Sequence, residues 1–221
     1  MTRTTNARIA GYTFLFYIAV AAPAMVLLNR ATAGEGIAAR LAGMAQHAGQ
    51  VHAAAVLSLL GCFSALVLAV TLYAITREQD PDLAMLGLTC RVAEGVIGAV
   101  SIAGTTGLLW LTTATGANAP DSAAAQVLGG FLLQDSPIVG ASFFALGSTC
   151  FSWLLLRGRM IPVALAWLGV LASVVLAVGL PLELAGVLRG PVTQLMWLPM
   201  AAFEVPLGLW LIIKGGVRRL D

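Results

Sequence analysis

Charge is what this sequence has least of. Only 10% of its 221 residues are Asp, Glu, Lys or Arg, against about 25% in a soluble domain. That shortage excludes an ordinary water-soluble fold. The balance is nearly even, 12 basic against 10 acidic residues. The only basic cluster is the tail Lys214, Arg218, Arg219, which reads as a membrane-flanking anchor. No nucleic-acid partner is expected. Cysteine is scarce too. Cys62, Cys90 and Cys150 lie in apolar segments with no C-x-x-C pair, so they read as small buried hydrophobes rather than a disulfide framework. The two histidines, His47 and His52, are five apart, about 140° around a helix. That spacing argues against a shared metal, and no metal or cofactor is expected. Phosphate loops, G-x-S-x-G elbows, H-E-x-x-H and haem motifs are all missing, which leaves no support for nucleotide chemistry or familiar hydrolases.

Hydrophobic sequence takes the place of charge. It makes up 59% of the chain, with a mean hydropathy of +0.93, in runs of about 20 residues, the length that spans a bilayer. Six spans are expected: Ile9–Leu28, His52–Ile75, Leu83–Leu111, Ile138–Leu156, Pro162–Val187 and Val192–Ile213. Arg3 and Arg8 ahead of the first run, with Ala22-Pro23-Ala24 within it, also fit a cleavable leader. We expect that segment to be retained as the first span.

Two connectors are more than loops. Ile37, Leu41, Met44 and Ala48 form one stripe, as in an amphipathic helix along the membrane surface. Residues 122–133 are apolar as well. Fused to the fourth span they would exceed the ~30 Å hydrocarbon core, so Gln134-Asp135-Ser136-Pro137 should separate a short helix or re-entrant turn from a full span. The expected fold is an all-α integral membrane protein, a single domain of six transmembrane helices with interfacial helices after the first and third.

Orientation follows from the basic residues. Arg3, Arg8, Arg77, Arg157, Arg159, Lys214, Arg218 and Arg219 fall on one side, and Arg30, Arg40 and Arg189 on the other. Eight against three predicts both termini in the cytoplasm. A weak 3+3 internal repeat is also compatible, since Gly107-Leu108-Leu109-Trp110-Leu111 echoes Gly208-Leu209-Trp210-Leu211.

Against this background three ionisable residues stand out: Arg91 and Glu94 in the third span and Glu204 in the sixth. A charge at the centre of a spanning helix costs about 2.5–3.5 kcal/mol on insertion scales. At 1.5 Å per residue, Arg91, Glu94 and Glu204 lie about 12, 16 and 14 Å from the same side. Arg91 and Glu94 share a helical face and can pair. One Arg with two Glu leaves a carboxylate unbalanced, and in low dielectric such a group takes up a proton rather than stay charged. Pro199 and Pro206 bracket Glu204 and should free carbonyls. The plainer reading is an ion pair that only fixes helix packing. Gly87, Gly95 and Gly98 around the pair admit the same two readings, close helix approach or room for a ligand.

An outer polar layer contains His47, His52, Gln134, Asp135, Glu183 and Gln194. Pro181, just before Glu183, suggests a broken helix end. Asp135 and Glu183 are expected at the mouth of a cavity floored by Glu94 and Glu204.

The order of several short motifs resembles a bacterial family of six-span membrane proteins, domain of unknown function 4386. Arg8-Ile9-Ala10-Gly11 stands at the start and Arg91-Val92-Ala93-Glu94 in the third span. Asp135 precedes Phe143-Phe144-Ala145-Leu146-Gly147, then comes Ile161-Pro162, and finally Glu204 with Leu209-Trp210-Leu211-Ile212-Ile213-Lys214-Gly215. Gln50-Val51-His52 departs from the amide-rich or charged start of the second span in relatives. The resemblance covers nearly the whole chain. It implies a fold and a membrane address, in the bacterial cytoplasmic membrane, and no activity.

Three functions remain open. The first is binding of a small lipophilic or amphiphilic ligand in a polar-floored cavity. The second is an intramembrane enzyme using Glu94, Asp135 or Glu204 as a general acid on a lipid or isoprenoid. The third is a proton-coupled transporter of small solutes.

Overall fold

The computed structural model describes residues 1–116, 119–133 and 137–215. Among them are no strands and nine helices: α1 (Arg3–Ala31), α2 (Ile37–Gln46), α3 (Ala48–Thr76), α4 (Pro81–Thr113), α5 (Ser122–Leu132), α6 (Ile138–Arg157), α7 (Val163–Leu184), α8 (Val192–Leu195) and α9 (Leu198–Lys214). Helices α1, α3, α4, α6, α7 and the α8–α9 stretch are long and apolar enough to cross a membrane. The protein is therefore a multi-pass membrane protein. α1, α3 and α4 run to 29, 29 and 33 residues. At 1.5 Å per residue these are about 43–50 Å long, more than the hydrocarbon core needs.

Local chemistry sets the boundaries. Pro81 opens α4, where its missing N–H is harmless, and the Asp80 carboxylate accepts from the Leu83 N–H at 3.1 Å. Asp121 caps α5 in the same way, at 2.7 Å from the Ala124 nitrogen. One expectation needs correction. The break expected near Pro181 does not occur there, since α7 continues through it for almost a full turn to Leu184. Near a C-terminus the missing N–H disturbs little beyond one hydrogen bond. The sixth span, in which Pro199 and Pro206 were expected to free carbonyls, is divided at Met196-Trp197 into α8 and α9. Pro199 explains the division, because it cannot bond back to Leu195 and disfavours a regular turn before it.

The chain forms two compact units. The first comprises residues 1–17, 63–95 and 138–215 of the described chain. Its core joins Ala7 and Phe14 of α1 to Leu68 and Leu72 of α3, Phe144 and Leu155 of α6, Leu176 of α7 and Phe203 and Leu207 of α9. α7 shows the two-sided logic of a spanning helix. Ala172, Leu176 and Leu180 are buried, while Leu171, Val174 and Val178 are exposed on a face that lipid rather than water can cover. α1 and α9 approach closely at Gly11 and Gly208. A Cβ added at Gly11 would come within 2.6 Å of the Gly208 carbonyl oxygen, so only a bare backbone fits.

The second unit comprises residues 18–62 and 96–137. Its core is Ala31, Leu41, Met44, Val51, Leu108, Leu109 and Leu111. Leu41 and Met44, two members of the expected amphipathic stripe, are the buried residues of α2. α2 packs on α5, with Leu41 seated over Gly129 and Ile37 over Gly130. This pairing of the two short helices was not anticipated from their separate apolar faces.

Candidate functional site

The site belongs to the first unit and grows out of ordinary helix periodicity. On α4 the buried positions Ala84, Gly87, Arg91 and Glu94 recur every three or four residues. On α9 the same spacing buries Met200, Phe203, Glu204, Leu207 and Leu211. Three ionisable side chains thus occupy inward-facing positions that hydrophobes would normally fill. Arg91 is 1% exposed, and Glu94 and Glu204 are each 8% exposed.

Arg91 and Glu94 pair along their helix, with Nη1 and Oε2 2.8 Å apart. The contact is short but poorly aligned. Neither atom makes a hydrogen bond of acceptable direction, and Nε and Nη2 of Arg91 have no partner either. The pair is therefore an ion pair by distance and not by angle. Glu94 is held from its other side, where the Tyr17 hydroxyl of α1 donates to Oε1 at 3.2 Å. Aromatic rings complete the setting. The Arg91 guanidinium lies 4.9 Å from the centroid of Phe144 and 6.0 Å from that of Tyr17, both within cation–π range. Phe144 in turn stacks on Trp197 at 6.0 Å, and Trp197 sits at the break between α8 and α9. Gly147 lets α6 come close enough to build this wall. A Cβ there would meet the Arg91 Cγ at 3.1 Å and the Gly87 carbonyl at 3.2 Å.

Glu204 behaves differently. It makes no ion pair within 4.0 Å among the described residues, yet it lines the same small cavity as Arg91. That cavity measures about 10 Å³ and is also walled by Ser148 and Ser152 of α6 and by Phe14, Leu72, Phe151, Leu155, Phe203 and Leu207. Glu94 and Glu183 are not part of its lining. This cavity, between Arg91 and Glu204, thus differs in its lining from the expected one, floored by Glu94 and Glu204 with a mouth at Asp135 and Glu183, of which Asp135 lies outside the described residues. The reason is that Glu94 turns toward Tyr17 and Arg91 instead of the void.

The outer-layer residues belong to both units. Glu183 is half-buried in the last turn of α7, and Gln194 is exposed on α8. His52 is exposed on α3 in the second unit. His47 closes α2, where its Nδ1 lies 3.0 Å from the Gly43 carbonyl oxygen. Asp135 and Gln134 lie outside the described residues. Among the described residues no three His, Cys, Asp or Glu side chains come together as a metal site.

Sequence reasoning missed Tyr17, Phe144, Ser148 and Ser152. The last two are four apart and share a helical face, a faint signal. Phe144 stood in one of the motifs that carry the resemblance, but nothing in its own helix or in that of Tyr17 marks which neighbour it meets. No curated protein and no solved structure matches the chain. Residues 9–215, nearly the whole chain, match the family described as Domain of unknown function (DUF4386), and the protein belongs to that family.

Proposed function

We propose that this is a binding protein of the bacterial cytoplasmic membrane, with both termini in the cytoplasm, that holds a small amphiphilic molecule by its polar end at Arg91. One observation carries the reading: a guanidinium that is 1% exposed and whose nitrogens all lack an aligned acceptor. Arg offers five N–H donors. A buried donor without an acceptor costs about 1–3 kcal/mol, more when charged. A ligand oxygen would recover that cost. The short helices α2 and α5 would lie along the membrane surface.

The test is chemical. Protein extracted into lipid nanodiscs would be analysed by mass spectrometry for retained lipophiles, beside an Arg91→Leu/Glu94→Leu variant. A lipophile retained near one-to-one by wild type and lost from the variant is expected. Identical lipid profiles in the two would refute the reading.

A second reading has its own support. Glu204 has no counter-ion in contact among the described residues and lines the cavity, as a proton donor to an isoprenoid or other lipid would. Incubation in D2O would then place deuterium on carbon in the retained lipophile with wild type and not with Glu204→Gln. Equal labelling by both would remove the acid–base role.

A further inference from the structure

We infer that the ligand group recognised at this site is a single hydroxyl, seated between Arg91, Glu204, Ser148 and Ser152; the inference rests on the binding reading above. The serines give the first argument. Elsewhere on α6, Ser142 and Thr149 turn their hydroxyls back to the carbonyls of Ile138 and Ala145, each at 2.8 Å. That is the usual way to satisfy a hydroxyl inside a spanning helix. Ser148 and Ser152 make no such bond to any described residue, and both line the cavity. Together with the unaligned Arg91 nitrogens and with Glu204, this gathers four hydrogen-bonding groups around one void, three of them without a partner among the described residues. Polar groups buried in this way are ordinarily satisfied by something.

The chemistry of the four groups selects the occupant. Arg91 can only donate, and Glu204 can only accept when it is ionised, the state in which the site selects as follows. A group between them must therefore accept from one side and donate to the other, which a hydroxyl does. A ketone would satisfy Arg91 and turn its lone pairs on Glu204. A carboxylate would add a third acid beside one guanidinium, and an ammonium would face Arg91 itself. Size removes the larger heads: about 10 Å³ holds roughly one water-sized group, which excludes phosphate and sugar. Water has the same hydrogen-bonding pattern and is the competitor that an alcohol must displace.

Wild-type protein in nanodiscs would be titrated with dodecanol, dodecanone, dodecanoate and dodecylammonium in mildly alkaline buffer that keeps the last two charged. The readout is the melting temperature. Dodecanol should raise it saturably. Dodecanone should need at least about tenfold more, the value of one hydrogen bond to a charged group. The two ions should give no saturable shift. Ser148→Val fills the cavity from a half-buried position; it should keep the unliganded melting temperature and lose the response to dodecanol. The inference is overturned if dodecanone or either ion matches dodecanol, if Ser148→Val still responds, or if dodecanol gives no saturable shift. In each of those cases, a lipophile retained by wild type and lost from Arg91→Leu/Glu94→Leu keeps the binding reading and discards only the hydroxyl. With nothing retained, both fall.

Discussion

Replacing Arg91 with leucine should destabilise the protein more than replacing Arg91 and Glu94 together. In wild type the Glu94 carboxylate, 8% exposed, has the guanidinium at 2.8 Å and the Tyr17 hydroxyl at 3.2 Å. Arg91→Leu leaves that carboxylate buried with one neutral partner. Breaking a buried pair from one side costs about 3–5 kcal/mol, whereas full apolar replacement is often neutral. The single change also forfeits the guanidinium–Phe144 contact at 4.9 Å, worth about 0.5–2 kcal/mol when desolvated. The double variant loses that contact too, and it strands the Tyr17 hydroxyl at a further cost of about 1–3 kcal/mol. Adding Tyr17→Phe should therefore recover most of the remaining loss. The expected order is wild type, then the triple variant close to it, then the double, then Arg91→Leu lowest. The gap between wild type and Arg91→Leu is about two to four powers of ten in the unfolding constant. SDS-induced unfolding followed by circular dichroism in mixed micelles would measure it. If Arg91→Leu proved as stable as the double variant, the pair would not be a buried ion pair in the sense used here.

Five further outcomes follow. Glu204→Met should leave stability unchanged or raise it, because it removes a buried carboxyl that has no ion-pair partner among the described residues, while abolishing retention of the lipophile; a large loss of stability in the same SDS titration would show that Glu204 holds the fold. Gly11→Ala should lower the melting temperature by an amount equivalent to about 1–3 kcal/mol, since its Cβ would press on backbone of α9. Gly49→Ala, with open space at its Cβ within helix α3, should be neutral or stabilising by up to about 1 kcal/mol. Asp80→Ala should cost about 1 kcal/mol and Asp80→Asn much less, because the asparagine keeps the cap on Leu83 and loses only the exposed pair with Arg157 at 3.3 Å; equal losses in thermal melts would mean that the ion pair matters more than the cap. Reporter fusions at Thr115 and at the C-terminus should report opposite sides of the membrane, as the eight-to-three distribution of Lys and Arg requires.

Much of the architecture could be read from the chain because a bilayer asks a simple question of it. Each apolar run must be long enough to cross, and each run's helix satisfies its own backbone. The six spans therefore followed from length and hydropathy, as did the short apolar helices α2 and α5. The Arg91–Glu94 pair was readable too, because three residues apart on a helix means one face. Even the division before Pro199 had a local cause in the sequence, although its consequence, a separate α8, did not stand out there.

What tertiary structure decided is which faces meet. That Tyr17 reaches Glu94, that Phe144 covers Arg91 between two rings, and that Ser148 and Ser152 open on the same void as Glu204 depend on the rotation and closeness of separate helices. Those are set by small contacts such as Gly11 on Gly208 and Gly147 on Arg91. Hydropathy carries almost no information about them, since any apolar face packs acceptably on another until side-chain shape chooses. Sequence by itself therefore determined that three charges had to be buried in a membrane. Only the packed helices decided that the third, Glu204, faces a cavity beside Arg91.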